Sequence, residues 1–174
     1  MNSLANKIAT AIKKTNPEQT CSIEVMQYSL GIILNTTLIL FMTMIIGGAT
    51  GHLTDSLIFL FSFALLRFCS GGFHLKTPAS CNIVTTLLST ITPQLFTLTN
   101  RSLLILNIIS FIIMMLFSPN PDRNAQIPTK LYPALKIFSL LLIGYSIFSR
   151  SPVIGLAFFV QSLTVIPLVR RFRQ

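Results

Sequence analysis

The sequence predicts an all-α, polytopic integral membrane protein: about six hydrophobic helices, preceded by a short amphipathic helix lying in the membrane interface. Three observations carry this. The mean hydropathy of the 174 residues is +0.73 and only 10% are charged, against about 25% in an ordinary soluble domain. Five or six apolar segments approach the ~20 residues that cross a bilayer, which leaves no room for a soluble domain and predicts a single membrane domain over 1–174. The net charge is +9, and its cations flank apolar segments. That placement suits anionic lipid headgroups better than nucleic acid, which is not expected as a partner. Three cysteines, an odd number without framework spacing, fit reduced thiols. The first long apolar run, from Ile23, exceeds a signal-peptide core and has no Ala-x-Ala exit, so no cleaved leader is expected.

Residues 3–16 form the amphipathic helix. Ser3 suits the N-cap. Leu4, Ala5, Ile8, Ala9, Ala11 and Ile12 share one side, and Asn6, Lys7, Thr10, Lys13 and Lys14 take the other. A basic helix of this kind lies in the interface plane; an ordinary solvated helix is the alternative. Asn16-Pro17 ends it. The first span, 23–46, carries Gln27, Asn35, Thr36 and Thr37. The second, 53–68, follows the turn Gly47–His52 and is capped by Thr54 or Asp55, which leaves His52 a structural or incidental loop histidine.

The third segment, 78–99, is two-faced. Ile83, Val84, Leu87, Leu88, Ile91, Leu95 and Leu98 fall within an arc of about 140° at about 100° per residue. Cys81, Asn82, Thr85, Thr86, Ser89, Thr90, Thr92, Thr97 and Thr99 fill the opposite arc. Such a helix does not face lipid all round; its polar side lines a cavity or packs against another helix. Hydroxyl-rich packing alone explains Ser and Thr, whereas Cys81 at the head of the stripe favours a substrate-lining role for Thr85 and Ser89.

Residues 101–117 give the fourth span, a polar, proline-rich loop runs from Ser118 to Pro133, and 133–149 and 152–169 give the last two. Both are short enough to require tilt or local thinning. Six spans and a cytoplasmic N-terminus place Lys7, Lys13, Lys14, Arg67, Lys76, Arg123, Lys130, Lys136, Arg170, Arg171 and Arg173 inside, and only Arg101 and Arg150 outside. That bias sets both termini, and His74 and Cys81, at the cytoplasmic face.

Chemistry concentrates in the stretch from Arg67 to Cys81, which holds one of two histidines and two of three cysteines. Thr77 is a natural N-cap and Pro78 a natural first helical residue, so Cys81 falls in the first turn of the third segment. The free amides and positive dipole end there favour a thiolate, as do Arg67 and Lys76 nearby in sequence. His74, seven residues upstream, could fold back to take the thiol proton and return it to a leaving amine. Gly71-Gly72 reads either as a helix C-cap or as backbone N–H groups facing an oxyanion. A metal held by Cys69, His74 and Cys81 would have three ligands at no recognised spacing, so no metal or other cofactor is expected. Cys69 ends an apolar span and lacks the helix-start environment, and Cys21 reads as inert. Glu24, at the start of the first span, is a candidate to orient the histidine.

The pattern Arg67-x3-Gly71-Gly72-x-His74-x6-Cys81 resembles the signature of the accessory gene regulator B family, bacterial membrane cysteine endopeptidases that process quorum-sensing pro-peptides. The resemblance extends to the proline-rich loop Ser118–Pro128 and the tail Gln161–Pro167, and so covers most of the chain. Ala125-Gln126 departs from the lysine and proline that members often carry, which bears on peptide choice. The resemblance implies His74 as general base and Cys81 as nucleophile in the bacterial cytoplasmic membrane. It implies a small pro-peptide with an amphipathic leader, a Cys- or Ser-containing core and an acidic tail, and a homodimeric enzyme. Cys81 would expel the tail and hold the core as a thioester until a thiol or hydroxyl of the peptide closes a thiolactone or lactone. The acidic tail would meet Arg67, Lys76, Arg123 and Lys130. Two other readings are a small peptide transporter or exporter without covalent chemistry, supported by the polar stripe, and a partner-binding membrane subunit.

Overall fold

Seven α-helices follow one another in the computed structural model, which describes residues 2–73, 75, 77–96, 98–120 and 128–167. They are α1 (Asn2–Thr15), α2 (Ile23–Ala49), α3 (Leu53–Ser70), α4 (Pro78–Leu95), α5 (Asn100–Phe117), α6 (Tyr132–Ser149) and α7 (Pro152–Val165), with a 3-10 turn, Thr129–Leu131, leading into α6. The described residues contain no strand, only an isolated parallel bridge between Gly71 and Asn120.

Local chemistry sets the ends. Thr77, Thr99 and Ser151 each accept a hydrogen bond from the backbone N–H three residues on, and proline opens the helix after Thr77 and Ser151. The cap of α3 falls on His52, not on Thr54 or Asp55. The Asp55 carboxylate instead lies in the first turn, 3.9 Å from His52 Nδ1. Likewise Ser3 lies inside α1 rather than capping it. α7 ends at Val165, because Ile166 precedes Pro167 and is extended, as a residue before proline must be. α4 ends two residues after its internal Pro93.

Among the described residues, four stretches are long and apolar enough to cross a membrane: α2, α3, α5, and residues Thr129–Ser149 containing α6. α7 is apolar but only 14 residues long, about 21 Å at 1.5 Å per residue, against ~30 Å of hydrocarbon. α4 has 18 residues, but its polar face keeps it out of that set.

The chain falls into two compact units, Met1–Met42 and Thr43–Gln174, with the boundary inside α2. In the first, Lys13 closes the turn after α1 by donating from Nζ to the carbonyls of Pro17 (2.7 Å) and Thr20 (2.8 Å). Ala5 and Ala9 of α1 are buried while Leu4 and Ile12 stay exposed. This half of α2 exposes Val25, Ile32, Ile33 and Phe41.

In the second unit α7 packs against α3, α4, α5 and α6, with its closest association to α3 and α5. One apolar cluster joins Leu66, Met114, Ile143, Phe158 and Val165, and a second joins Phe59, Phe63, Leu156 and Ala157. Polar groups are buried beside them, including Ser56, Asn107, Ser110, Ser139, Ser146, Gln161 and Ser162. The outer faces of α5 and α6 carry Ile105, Ile108, Leu116, Phe138 and Leu141. Small and hydroxylic residues inside with large apolar ones outside is the arrangement expected when lipid is the solvent.

α4 shows the same inversion most fully. Asn82, Thr86, Ser89, Thr90 and Thr92 are buried, whereas Ile83, Val84, Leu87, Ile91 and Leu95 are exposed. The stripe read from the sequence is therefore real, and its hydroxyls are used in packing. Ser89 Oγ and Thr43 Oγ1 share a hydrogen bond (3.2 Å), Thr90 Oγ1 donates to Thr86 O (2.8 Å), and Gln94 Nε2 donates to Thr50 Oγ1 (3.0 Å).

Candidate functional site

Three helix ends meet at the segment that follows α3. The first is α3 itself. Gly71 closes it, donating its N–H to Arg67 O (2.8 Å) at φ 70°. Gly72 continues at φ 133°, a conformation open to glycine but strained for other residues. A Cβ at Gly72 would also stand 2.6 Å from Thr164 Oγ1.

The second is the chain leaving α5. Asn120 donates its N–H to Ser70 O (2.8 Å) and accepts from Gly72 N–H (3.0 Å), while its Nδ2 donates to Val165 O (3.0 Å). The third is the C-terminal turn of α7, where Thr164 O accepts the Phe73 N–H (2.9 Å). Gly71–Phe73 is thus gripped from both sides.

Gln161 is the hub. It is fully buried, and its amide is used on both ends. Nε2 donates to Ser70 Oγ (3.0 Å) and Gly71 O (2.7 Å), and Oε1 accepts from Arg67 Nη1 (3.3 Å) and Thr164 Oγ1 (3.1 Å). Arg67 in turn donates from Nη2 to Phe73 O, with its guanidinium 5.7 Å from the centre of the Phe63 ring. The Phe73 carbonyl, the Gln161 amide oxygen and the Phe63 ring face all favour the cation at this place.

Cys81 lies just beyond. Thr77 is extended, its Oγ1 accepts the Ser80 N–H (3.1 Å), and the Cys81 N–H makes an intrahelical bond to Thr77 O (3.2 Å). Cys81 therefore stands in the first turn of α4, as its spacing from Thr77-Pro78 predicts. Its thiol is free and half-buried. Cys69 is also half-buried, within α3, and Cys21 is exposed.

The other candidates sort by place. His74, Lys76 and Arg123 lie outside the described residues; Phe73 and Leu75, on either side of His74, are half-buried. The Gly71 and Gly72 N–H groups are both engaged in backbone hydrogen bonds. They therefore serve the cap and the junction, and oxyanion donation would require those bonds to open. Arg67 is held in the same junction. Thr85 is half-buried, but Ser89 is buried in the contact with Thr43, a packing position. Lys130 is exposed on the 3-10 turn. Glu24 is exposed in the first turn of α2, in the first unit.

Gln161, Asn120 and Thr164 form the junction without having been assigned roles from the sequence. For Gln161 a signal exists: an amide inside the apolar run from Val153 to Val165 must find partners there. Asn120 and Thr164 give no such sign, because their roles come from backbone groups brought together only by the fold.

No curated protein and no solved structure matches the chain. The family model described as accessory gene regulator B matches residues 2–166, which takes in the Arg67–Cys81 stretch, the proline-rich loop and the Gln161–Val165 end of α7. This chain belongs to the accessory gene regulator B family, membrane proteins of quorum-sensing peptide processing.

Proposed function

We propose that the protein is a cysteine endopeptidase, embedded in the membrane, that removes the C-terminal tail of a small signal pro-peptide and promotes ring closure of what is left. The observation that carries this reading is the placement of a free, half-buried thiol, Cys81, in the first turn of α4. Four residues before its cap, the chain is clamped at Phe73 by Arg67 and Thr164. A nucleophile at a helix start gains from the amide dipoles there. A clamped segment beside it suits a base that must act at hydrogen-bond range.

The chemistry runs in two steps. The Cys81 sulfur, its proton taken by His74, attacks the carbonyl at the core–tail junction. The tetrahedral adduct collapses, the C–N bond breaks, and the imidazolium gives its proton to the departing amine of the tail. The amino-terminal part of the peptide is then a thioester on Cys81. A thiol or hydroxyl of the same peptide, deprotonated by His74, attacks that thioester. The ring closes and the Cys81 thiolate leaves, recovering the proton. Thioester exchange is close to balanced in free energy whereas hydrolysis runs downhill, so water must be kept from the acyl stage. A site at the edge of an apolar bundle serves this.

The exporter reading rested on the polar stripe of α4. Ser89 of that stripe bonds to Thr43 and Thr90 to its own helix's carbonyl, so a packing role accounts for Ser89 without a transport path. The test uses the full chain in liposomes with a synthetic pro-peptide bearing an amphipathic leader and an acidic tail. Cys81→Ala and His74→Ala are expected to lower tail release by about 10³-fold or more, since nucleophile and base act as a unit. Tail release at the wild-type rate by Cys81→Ala overturns the proposal.

A further inference from the structure

The two cations that the charge pattern places on the outer side, Arg101 and Arg150, line one cleft. It has a volume of about 310 Å³ and lies between the start of α5 and the end of α6, with Leu103, Leu104, Asn107 and Ile147 completing its wall. This is the far end of the bundle from the Gly71–Phe73 junction. The junction gathers the C-terminal ends of α3, α5 and α7, whereas the cleft opens at the N-terminal end of α5. With 18 residues in α5, the separation is about 27 Å, close to the thickness of a bilayer core.

The cleft is supplied with donors. Arg101 and Arg150 make no hydrogen bond or ion pair with any described residue, and no carboxylate lines the wall. Asn107 is 1% exposed, and its Oδ1 accepts from Ser146 Oγ (3.1 Å). Its Nδ2 has no partner among the described residues. Asn107 lines the cleft wall, so its amide N–H adds a neutral donor to the two arginines. Two guanidinium groups and an amide N–H, backed by Leu103, Leu104 and Ile147, match an anion that carries hydrocarbon.

The geometry points to a binding site for an anionic phospholipid, with its phosphodiester held by Arg101, Arg150 and the Asn107 amide. The acyl chains lie along the exposed apolar faces of α5 and α6. Arginine's planar fork is suited to phosphate oxygens. The cleft stands at the end of two helices of membrane-crossing length, where headgroups lie. An acidic peptide would use the arginines but would have no use for the leucine wall or for the apolar stripes that continue from it. The site is independent of the chemistry at Cys81.

Native mass spectrometry of the full-length chain in detergent tests this, with phosphatidylglycerol, phosphatidylcholine or inorganic phosphate added. Wild-type protein is expected to hold one phosphatidylglycerol about 10-fold more tightly than phosphatidylcholine. The double change Arg101→Gln with Arg150→Gln should weaken that binding about 10-fold or more, and Lys at both positions should recover only part of it. Lys130→Gln and Lys136→Gln, which change cations elsewhere, should alter it less than about 2-fold. Unchanged phosphatidylglycerol affinity in the Arg101/Arg150 double variant overturns the proposal. So does displacement of the lipid by inorganic phosphate, which marks a simple anion site, or by an acidic peptide, which marks a peptide site.

Discussion

Gly72 and Gln161 hold the junction together by opposite means, one by having no side chain and the other by using every polar atom of its own. At Gly72 the backbone lies at φ 133° against Thr164. Alanine there is expected to cost about 1–3 kcal/mol in backbone strain alone, concentrated in the segment before His74. Gln161→Leu keeps the bulk but removes the four side-chain bonds that tie Ser70, Gly71, Arg67 and Thr164 together. Losing such bonds costs about 0.5–1.5 kcal/mol each. Both variants are expected to insert in the membrane and to lose about 10-fold or more in tail release, measured as a rate per inserted molecule. Activity within about 2-fold of wild type in both would show that the junction does not position the reacting groups. At this scale the sequence was partly legible. Thr77, Pro78 and Cys81 follow from capping rules that act over four residues. The partners of Gly72 are 48 and 92 residues away, at Asn120 and Thr164, and no local rule reaches them.

At the scale of elements, α4 shows what a pattern can and cannot say. Its periodicity identifies two faces, and the structure has two faces. Periodicity does not say which solvent each face meets, because a polar stripe serves equally to line an aqueous path or to satisfy itself against neighbours. The bond of Ser89 to Thr43 and the burial of Ser89 and Thr90 place these two residues in packing. A test follows from the burial. Ser89 is 1% exposed, so Ser89→Leu overpacks the α2–α4 contact and should cost about 1–3 kcal/mol. Ile83→Leu, on the exposed face, should stay within about 0.5 kcal/mol. Thermal unfolding in a mild detergent distinguishes them, and equal effects would contradict an inward polar face. Element ends were legible where a cap or a proline sets them, as at Thr77, Ser151 and Ile166. They were misread at His52, where α3 begins without a side-chain cap and Asp55 serves in the first turn instead.

For the whole molecule, composition alone identifies a membrane protein, and the family match agrees with it. The count of six crossings is less direct. Among the described residues, four stretches meet the length and apolarity of a crossing helix, while α4 is too polar and α7 too short to be recognised by those criteria. α7 is buried among α3, α4, α5 and α6. A helix surrounded by protein need not match the bilayer in length or polarity, which is why hydropathy reads it poorly. The cation asymmetry predicts the topology: cysteines placed at Arg101 and Arg150 should react with an impermeant maleimide in intact cells, and cysteines at Lys14 and Lys130 only after permeabilisation. Labelling of all four before permeabilisation would contradict it.

The account turns on a covalent bond to one sulfur, so the most direct measurement is the mass of the protein during turnover. Full-length enzyme, mixed with a pro-peptide whose internal Cys or Ser is replaced by Ala to block ring closure, should gain the mass of the peptide minus its tail. The adduct should map to Cys81, be released by hydroxylamine as a thioester, and be absent from Cys81→Ala. Tail release by the wild-type enzyme without that adduct, or an adduct that persists on Cys81→Ala, would contradict the account.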